Sequence, residues 1–221
     1  MHSSILVLSA HPPELSGLRA LLGDDLRWTS GDLSVVGRTV GIGLVAAAAG
    51  AAGLLEAFQP RGVILVGTCG AYQGRGISTG NVVVGRRVCL ASTAVVERRG
   101  AFPGPMLVET DLDGPLSEGV AREGLRRADV ATTLAVTTDD RLAAAVSDGL
   151  RCDVEHLEAF AVARACAEKG IPLAVVLGVA NMVGSSARTE WQVNHRAAGD
   201  AAATHVARWL ELGAPGVSGG S

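Results

Sequence analysis

The sequence predicts a single α/β domain in which helices cover both faces of a mixed, largely parallel and twisted sheet, a three-layer α/β/α arrangement. Short apolar runs alternate along the chain with segments in which apolar residues recur at helical spacing. The run at residues 173–179 is almost wholly apolar, as expected of a strand buried on both faces of a parallel sheet. The chain has 221 residues, of which 48% are hydrophobic and 19% charged. This length and composition are typical of a folded domain with one hydrophobic core.

The first half of the chain begins with a predicted strand at residues 5–9. Pro12 and Pro13 then introduce a helix at residues 14–22, because proline is tolerated in the first turn of a helix. The other elements predicted here are strands at residues 32–36 and 38–42 with Gly37 and Arg38 in the turn between them, an alanine-rich helix at residues 44–58, and a strand at residues 62–67 that leads into a glycine loop.

The second half centres on one helix–strand unit. Apolar residues recur at helical spacing after Asp153, Gly170 ends that helix, and Pro172 keeps the following residues extended until the next strand begins. Glu158 and Asn181 then lie at opposite ends of the unit, where an open α/β sheet gathers its ligand. The other predicted elements are strands at residues 81–92 and 134–137, helices at residues 116–128, 139–147 and 191–212, and a surface loop at residues 100–114.

We expect residues 1–212 to form one domain and residues 213–221 to form a flexible tail. The net charge of −3 gives no reason to expect a nucleic acid or an acidic membrane as a partner. The amino end lacks the pattern of a secretory signal, and the longest apolar stretch is too short and too interrupted by glycine to span a membrane. The four cysteines have no CxxC spacing, which argues against a metal site and favours free thiols in the cytoplasm.

Three segments, taken in this order, resemble the hallmark motifs of the nucleoside phosphorylase and nucleosidase superfamily. Residues 5–14 (ILVLSAHPPE) resemble its first strand and an Ala-x-x-x-Glu turn, and residues 63–71 (VILVGTCGA) resemble its second strand with a Gly-Ser/Thr-x-Gly loop. Residues 157–163 (LEAFAVA) resemble its Met-Glu-Gly/Ala-x-Ala segment. The resemblance is nearest to the methylthioadenosine/S-adenosylhomocysteine nucleosidases and futalosine hydrolases. It implies a purine nucleoside as ligand, no cofactor and a homo-oligomer.

The resemblance assigns the sugar site to the segment around Glu158. In the family this glutamate grips the ribose hydroxyls, and the preceding residue, here Leu157, packs under the sugar. We include His156 in the same predicted group of substrate contacts. A carboxylate can accept hydrogen bonds from two vicinal hydroxyls, which suits Glu158 to this role. The alternative is an exposed glutamate on a helix face, paired with Arg164 or Lys169.

The nucleophile site is predicted from Glu14 and two glycine segments. In the nucleosidases a glutamate at this turn orients and deprotonates water, although Glu14 could instead complement a helix dipole. The loop of Thr68, Cys69 and Gly70 would bring backbone N–H groups and a hydroxyl to that pocket. Gly43 would let the backbone approach the sugar or the nucleophile. Its Gly-x-Gly-x-x-Ala pattern also occurs in dinucleotide sites, but the next strand does not end in the acidic residue that such sites need.

Asn181 stands where many nucleosidases that act on 6-aminopurines carry aspartate. An amide cannot deliver a proton to N7, but it can donate a hydrogen bond there while a second hydrogen bond meets the 6-substituent. The resemblance therefore predicts a 6-oxopurine such as hypoxanthine or guanine, or a loss of activity. Arg141 falls near the position of the family's stacking aromatic residue, where a guanidinium could stack on the base. His195 is expected at the surface or as a helix cap.

The reaction is predicted from a missing arginine. Phosphorolytic hexameric members hold phosphate with an arginine shortly before the glycine loop, and here that position is Leu65. Loss of this charge-assisted contact favours water as the nucleophile. We therefore expect a purine nucleoside N-ribosyl hydrolase, with a futalosine-type nucleoside as one allowed substrate. Because Arg38 or an arginine of a neighbouring subunit could still hold phosphate, a phosphorylase is the alternative. A non-catalytic nucleoside-binding member is the second alternative.

Overall fold

A computed structural model describes residues 3–121 and 124–217, and it confirms the predicted mixed α/β fold with helices on both sides of a sheet. The strands of these ranges are β1 (Ser3–Ser9), β2 (Arg27–Ser30), β3 (Leu33–Thr39), β4 (Gly62–Ala71), β5 (Val82–Leu90), β6 (Glu109–Asp111), β7 (Arg126–Thr132), β8 (Val154–His156) and β9 (Leu173–Met182). The helices are a 3₁₀ helix (Pro12–Leu18), α1 (Arg19–Leu22), α2 (Leu44–Phe58), α3 (Thr93–Val96), α4 (Pro115–Ala121), α5 (Asp140–Leu150), α6 (Ala159–Glu168) and α7 (Ala187–Glu211).

The sheet is mixed, and part of it closes on itself. Its strands follow the order β2-β3-β1-β4-β8-β7-β5-β6, and β9 pairs with both β4 and β5. β3, β1, β4 and β9 run parallel to one another, whereas β8 is antiparallel to β4 and β5 is antiparallel to β9. β4, β8, β7, β5 and β9 thus form a closed ring of strands. A bulge between Cys69 and Gly70 bends β4, so that its last residues pair with both β8 and β9.

Two apolar layers, one on each face of the sheet, form most of the core, and a third, smaller cluster surrounds Tyr72. Leu6 and Leu8 of β1 pack with α2 and α6 on one face, whereas Ile5 and Val7 pack with the 3₁₀ helix, α4 and α7 on the other. This division follows from the alternation of side chains along a strand. α7 lies especially close to β9, since a Cβ on Gly178 would be only 1.9 Å from the Ala198 carbonyl oxygen.

Several helices begin or end where the sequence predicts. α2 has the predicted bounds, Leu44–Phe58, and α7 begins at Ala187, one turn before the predicted start at residue 191. The helix predicted at residues 14–22 is the 3₁₀ helix followed by the single turn of α1. α7 is the longest helix at 25 residues, yet within the described ranges no helix is both long and apolar enough to cross a membrane.

The turn predicted at Gly37 and Arg38 is wrong. β3 runs through both residues, and its antiparallel partner β2 has no counterpart among the predicted strands. The turn between β2 and β3 instead contains Gly31, which has a φ of +56°. β2 is largely exposed, so it lacks the apolar run that would have indicated a strand. Glycine at position 37 instead accommodates Leu26, whose Cβ would be 3.0 Å from a Cβ on Gly37.

The helix predicted at residues 116–128 and the strand predicted at residues 134–137 are also wrong. α4 ends at Ala121, β7 occupies Arg126–Thr132, and residues 134–137 are irregular. Ala128 and Ala131 have a high helix propensity, but both are fully buried in the sheet. Tertiary packing therefore overrides the local preference at this position.

Four smaller predictions also need correction. The glycine loop predicted after residue 67 is the second half of β4, and the residues after Asp153 form β8 before α6 begins. The loop predicted at residues 100–114 contains β6. The tail predicted from residue 213 is packed at its start, because Ala214 is buried and Trp209 Nε1 donates to the Pro215 carbonyl oxygen at 3.1 Å. The rest of that tail, residues 218–221, lies outside the described residues.

Candidate active site

A cavity of about 530 Å³ lies at the carboxyl ends of β1, β4 and β9. This volume is in the range of small-molecule sites, about 300 to 1,000 Å³. The predicted site residues that line it are Glu14, Thr68, Cys69, Gly70, His156, Leu157, Glu158 and Asn181. Strands that are distant in sequence thus bring together most of the side chains that the sequence analysis selected.

Glu14 is held at the cavity by hydrogen bonds to both carboxylate oxygens. Oε2 accepts from Ala10 N at 3.0 Å and from His11 N at 3.4 Å, and Oε1 accepts from Thr68 N at 3.0 Å and from Thr68 Oγ1 at 3.3 Å. The side chain is only 7% exposed. The contact with His11 N also caps the 3₁₀ helix, so a helix-start role coexists with a position at the cavity. A carboxylate fixed in this way is suited to act as a general base.

Glu158 occupies the N-cap position of α6 and is buried. Its Oε1 accepts a hydrogen bond of 2.7 Å from Gly43 N. Gly43 has a φ of +85°, a conformation that glycine adopts without strain. This conformation directs the Gly43 N–H toward the Glu158 carboxylate. Arg164 and Lys169 form ion pairs with other glutamates, so the alternative in which Glu158 pairs with one of them on an exposed face is wrong.

His156, at the end of β8, lies between the two carboxylates. Its Nδ1 accepts from Glu158 N at 3.2 Å and from Ala159 N at 3.1 Å, and it also lies 3.3 Å from Glu158 Oε2. The opposite ring nitrogen, Nε2, and Glu14 Oε1 both face Gly67. A Cβ on Gly67 would be 3.3 Å from Nε2 and 3.0 Å from Oε1. A side chain at this position would therefore crowd both groups, which lie close to each other.

Asn181, near the end of β9, brings an amide to the cavity wall and is 6% exposed. Its Nδ2 donates to the Met182 carbonyl oxygen at 2.9 Å, which leaves the second N–H of the amide for a ligand. Gly70 faces it from β4, and a Cβ there would be 2.8 Å from Nδ2. Glycine at position 70 is thus required for the position of this amide.

A buried hydrogen-bond network that the sequence analysis missed fixes the segment after β7. Glu155 Oε2 accepts from Tyr72 Oη at 2.9 Å and from Thr137 Oγ1 at 2.6 Å, and Oε1 accepts from Thr137 N at 2.9 Å. Burial, together with the negative charge of Glu155, raises the pKa of Tyr72, so the phenol remains a donor. The network holds Thr137 in place, and its neighbours Val136 and Thr138 line the cavity. A charged residue in the middle of the three-residue strand β8 was the available signal.

Trp191 is a second lining residue that the sequence analysis missed. Its Nε1 lies 3.5 Å from Thr68 Oγ1, and its ring stacks on His195 with 4.2 Å between the ring centroids. Both residues also line a second cavity of about 330 Å³, which shares Glu14 and Thr68 with the first. Trp191 therefore supplies an aromatic surface at the site. A tryptophan in a long helix resembles a core residue, so its sequence position alone gives no signal of this role.

Arg141 does not line the cavity, and the stacking position predicted for it is wrong. Asp139 caps α5 by accepting a hydrogen bond of 2.7 Å from Leu142 N, and Arg141 is exposed on the first turn of that helix. Cys69 does line the cavity, where burial raises the pKa of its thiol. It is therefore a neutral wall of the cavity rather than a nucleophile.

Comparisons with known proteins identify the family. A family model described as the phosphorylase superfamily matches residues 26–211. A 5′-methylthioadenosine/S-adenosylhomocysteine nucleosidase of Chromohalobacter salexigens is 33% identical over 181 residues, which cover 77% of this chain and 75% of that protein. The chain belongs to the phosphorylase superfamily. The activity in the name of this relative favours a nucleosidase, an N-glycosidase, over a phosphorylase.

Solved structures agree with the fold. A 5′-methylthioadenosine/S-adenosylhomocysteine nucleosidase of Helicobacter pylori has a TM-score of 0.85 at 14% identity, covering 96% of this chain and 100% of that one. The futalosine hydrolase of Helicobacter pylori has a TM-score of 0.85 at 14% identity, covering 95% and 98%. A nucleosidase of Neisseria meningitidis has a TM-score of 0.83 at 20% identity, covering 95% and 99%. These similarities establish the three-layer architecture.

Proposed function

We propose that this protein is a purine nucleoside N-ribosyl hydrolase that releases a 6-oxopurine base. One observation carries the proposal: the carboxylates of Glu14 and Glu158 and the amide of Asn181 line one cavity of about 530 Å³. Cleavage of an N-ribosidic bond requires a sugar that is held while positive charge develops on it, a nucleophile, and a contact for the leaving base. These three side chains match the three requirements.

Glu158 holds the ribose in the proposed complex. Gly43 N occupies one lone-pair direction of Oε1, which orients the carboxylate and leaves acceptor capacity for the vicinal hydroxyls. Its negative charge also stabilises the oxocarbenium-like sugar, and the burial of Glu158 strengthens this effect because a charge is screened less there than in water. Leu157 is half-buried beside it and lines the cavity, where its side chain packs under the sugar.

Glu14 activates the attacking water. As the water oxygen bonds to C1′, one water proton passes to the carboxylate, and the C1′–N9 bond breaks with its electron pair going to the base. The second N–H of Asn181 is the one donor that the amide has left, and N7 and the 6-oxo group of the departing base, which are both acceptors, share it. The base takes its proton from solvent, because an amide cannot supply one.

Hydrolysis is favoured over phosphorolysis because two positions from which an arginine was expected to hold phosphate bring no cation to the cavity. Leu65, in the position of the phosphate-holding arginine, is fully buried in β4. The Arg38 guanidinium lies 5.4 Å from the centroid of the Phe58 ring and donates to the Gly37 carbonyl oxygen, and Arg38 does not line the cavity. A phosphate-dependent phosphorylase is the second candidate, because Arg188 does line the cavity and could hold phosphate.

The test is base release from inosine, adenosine, 5′-methylthioadenosine and futalosine, with and without phosphate. We expect hypoxanthine to be released from inosine without phosphate. It should also be released from futalosine if the site accepts a long 5′ group. Release only with phosphate would identify a phosphorylase. Preferential release of adenine from 5′-methylthioadenosine would instead match the activity named for the Chromohalobacter salexigens relative. Binding without release would identify a non-catalytic member.

Replacing Glu158→Gln should lower kcat/KM for inosine by about tenfold to a hundredfold, the cost of weakening hydrogen bonds to a charged acceptor. The loss for 2′-deoxyinosine should be smaller, because that substrate lacks one of the hydroxyls that Glu158 accepts. Steady-state kinetics on the two substrates measure the difference. Glu168→Gln, on the same helix but paired with Arg164 and exposed, is the matched control. Equal losses for both substrates would contradict the assigned role.

We also propose that the protein is a homodimer assembled through the start of α2. Ile42 lines the cavity and is 65% exposed, and Val45 is 80% exposed on the adjoining helical turn. Burial of this apolar surface by a second copy would close the cavity mouth. Val45→Glu should shift the protein to a monomer in light scattering, whereas Ala167→Glu, on the exposed side of α6, should not. A wild-type monomer at micromolar concentration would refute the proposal.

A cytoplasmic location is proposed from the state of the cysteines. Cys69, Cys89, Cys152 and Cys166 are all buried and free. Burial raises the pKa of Cys166 to about 12, so this thiol remains protonated and unreactive. Free thiols of this kind are typical of proteins in a reducing compartment.

A further inference from the structure

We propose that His156 is a catalytic residue: a neutral imidazole whose Nε2–H holds the attacking water beside Glu14. This inference rests on the proposed function and gives a role at the nucleophile to a residue that the sequence analysis placed among the substrate contacts.

The tautomer follows from the start of α6. Two backbone donors converge on Nδ1, Glu158 N at 3.2 Å and Ala159 N at 3.1 Å. Both belong to the first turn of the helix, where N–H groups have no acceptor within the helix itself. Since both donors need an acceptor, Nδ1 carries no proton and the neutral ring is protonated at Nε2. The 3.3 Å contact between Nδ1 and Glu158 Oε2 is then a contact of two acceptors, not an ion pair.

The position of Nε2 follows from Gly67. A Cβ at this glycine would be 3.3 Å from His156 Nε2 and 3.0 Å from Glu14 Oε1, so the donor and the carboxylate border the same space. His156 is only 4% exposed, and both it and Glu14 line the cavity. Nε2–H therefore lies near the carboxylate with which Glu14 is proposed to activate water, and a side chain at position 67 would press against both groups.

The geometry of the water explains what such a donor does. One water O–H donates to Glu14 Oε1 in place of the long 3.3 Å contact from Thr68 Oγ1, one water lone pair accepts from His156 Nε2–H, and the remaining lone pair is left to attack C1′. When the C1′–O bond forms and the C1′–N9 bond breaks, the proton passes to Glu14 and the imidazole keeps its own. His156 thus orients the nucleophile without changing its protonation state, which lowers the entropic part of the barrier.

Two substitutions separate this role from simple capping of α6. His156→Asn can place Oδ1 near the position of Nδ1 and keep the cap, but it has no donor at the position of Nε2. His156→Gln can place an N–H donor near Nε2, but it loses the acceptor at Nδ1. We expect His156→Asn to lower kcat by about a hundredfold at a nearly unchanged KM and melting temperature. His156→Gln should retain more of kcat and melt at a lower temperature. The opposite order of activities would overturn the proposal.

If the wild-type protein releases no base, the proposed function is refuted. A measurement that does not depend on turnover still tests the state of His156 in that case. Nitrogen NMR of histidine-labelled protein, with His156 assigned by its loss in His156→Asn, reports which ring nitrogen is protonated. We expect a protonated Nε2 whose resonance moves in Glu14→Gln, because the two groups share one space. A protonated Nδ1, or an Nε2 signal that ignores the Glu14 substitution, would overturn the inference.

Discussion

Glu14→Gln should lower kcat for base release by about 10²- to 10⁴-fold, the contribution usual for a general base. The amide has the size of the carboxylate but cannot take the water proton, so sugar binding through Glu158 should persist while turnover stops. The measurement is the single-turnover release of hypoxanthine, together with nucleoside affinity by calorimetry. We expect the affinity to change by less than about tenfold, since Glu14 does not contact the ribose hydroxyls in the proposed complex.

The substitution has a structural side effect that needs its own control. The Glu14 oxygens accept hydrogen bonds from Ala10 N, His11 N and Thr68 N, and an amide nitrogen in their place would face at least one of these donors. We expect a loss of about 1 to 3 kcal/mol in the free energy of unfolding. Glu118→Gln, on the exposed surface of α4, should change neither stability nor turnover. A folded Glu14→Gln variant that keeps more than a tenth of the wild-type rate would exclude the base role.

Asn181→Asp should reverse the preference between bases. A carboxylate that has delivered its proton to N7 is ionised, so it repels the 6-oxo group of hypoxanthine, whereas it can accept from the 6-amino group of adenine. The ratio of kcat/KM for inosine to that for adenosine should fall by about a hundredfold, because a buried unsatisfied polar contact costs about 1 to 3 kcal/mol. Parallel kinetics on the two nucleosides, which share the same sugar, isolate the effect at the base.

Two further variants frame this result. Asn181→Ala removes both the donor and the acceptor, so it should lower both activities without reversing the preference. Asn81→Asp makes the same chemical change at an exposed asparagine whose Oδ1 accepts from Ser78 N, a contact that aspartate can keep. It should leave the ratio unchanged. If wild-type protein already prefers adenosine, or if Asn181→Asp does not alter the ratio, the proposed 6-oxo specificity is incorrect.

The errors in the predicted elements share one physical origin. β2 is an exposed edge strand without an apolar run, and β7 contains alanines that favour a helix in isolation. In both cases the strand conformation comes from pairing with a neighbour: β2 with β3, and β7 with β5 and β8. Local sequence does not encode a partner that lies elsewhere in the chain.

The site residues also differ in whether local sequence was enough to predict them. Glu14, Glu158 and Asn181 were predicted because they stand at the ends of strongly marked elements and within motifs that resemble a family. Trp191 and Glu155 were missed because their relation to the cavity depends on how α7 and β8 pack. Arg141 was misplaced because the cap formed by Asp139 fixes where α5 begins and leaves the guanidinium exposed.

Periodicity, glycine and proline act over a few residues, so the sequence alone predicted the α/β class, the bounds of α2 and the motifs that carry the proposed site. The closed ring of strands, the network of Glu155 and the place of His156 between two carboxylates became visible only in the folded molecule. These features need contacts between segments that are distant along the chain. The tautomer of the His156 imidazole, for example, is set by the two backbone N–H groups at the start of α6 that donate to its Nδ1.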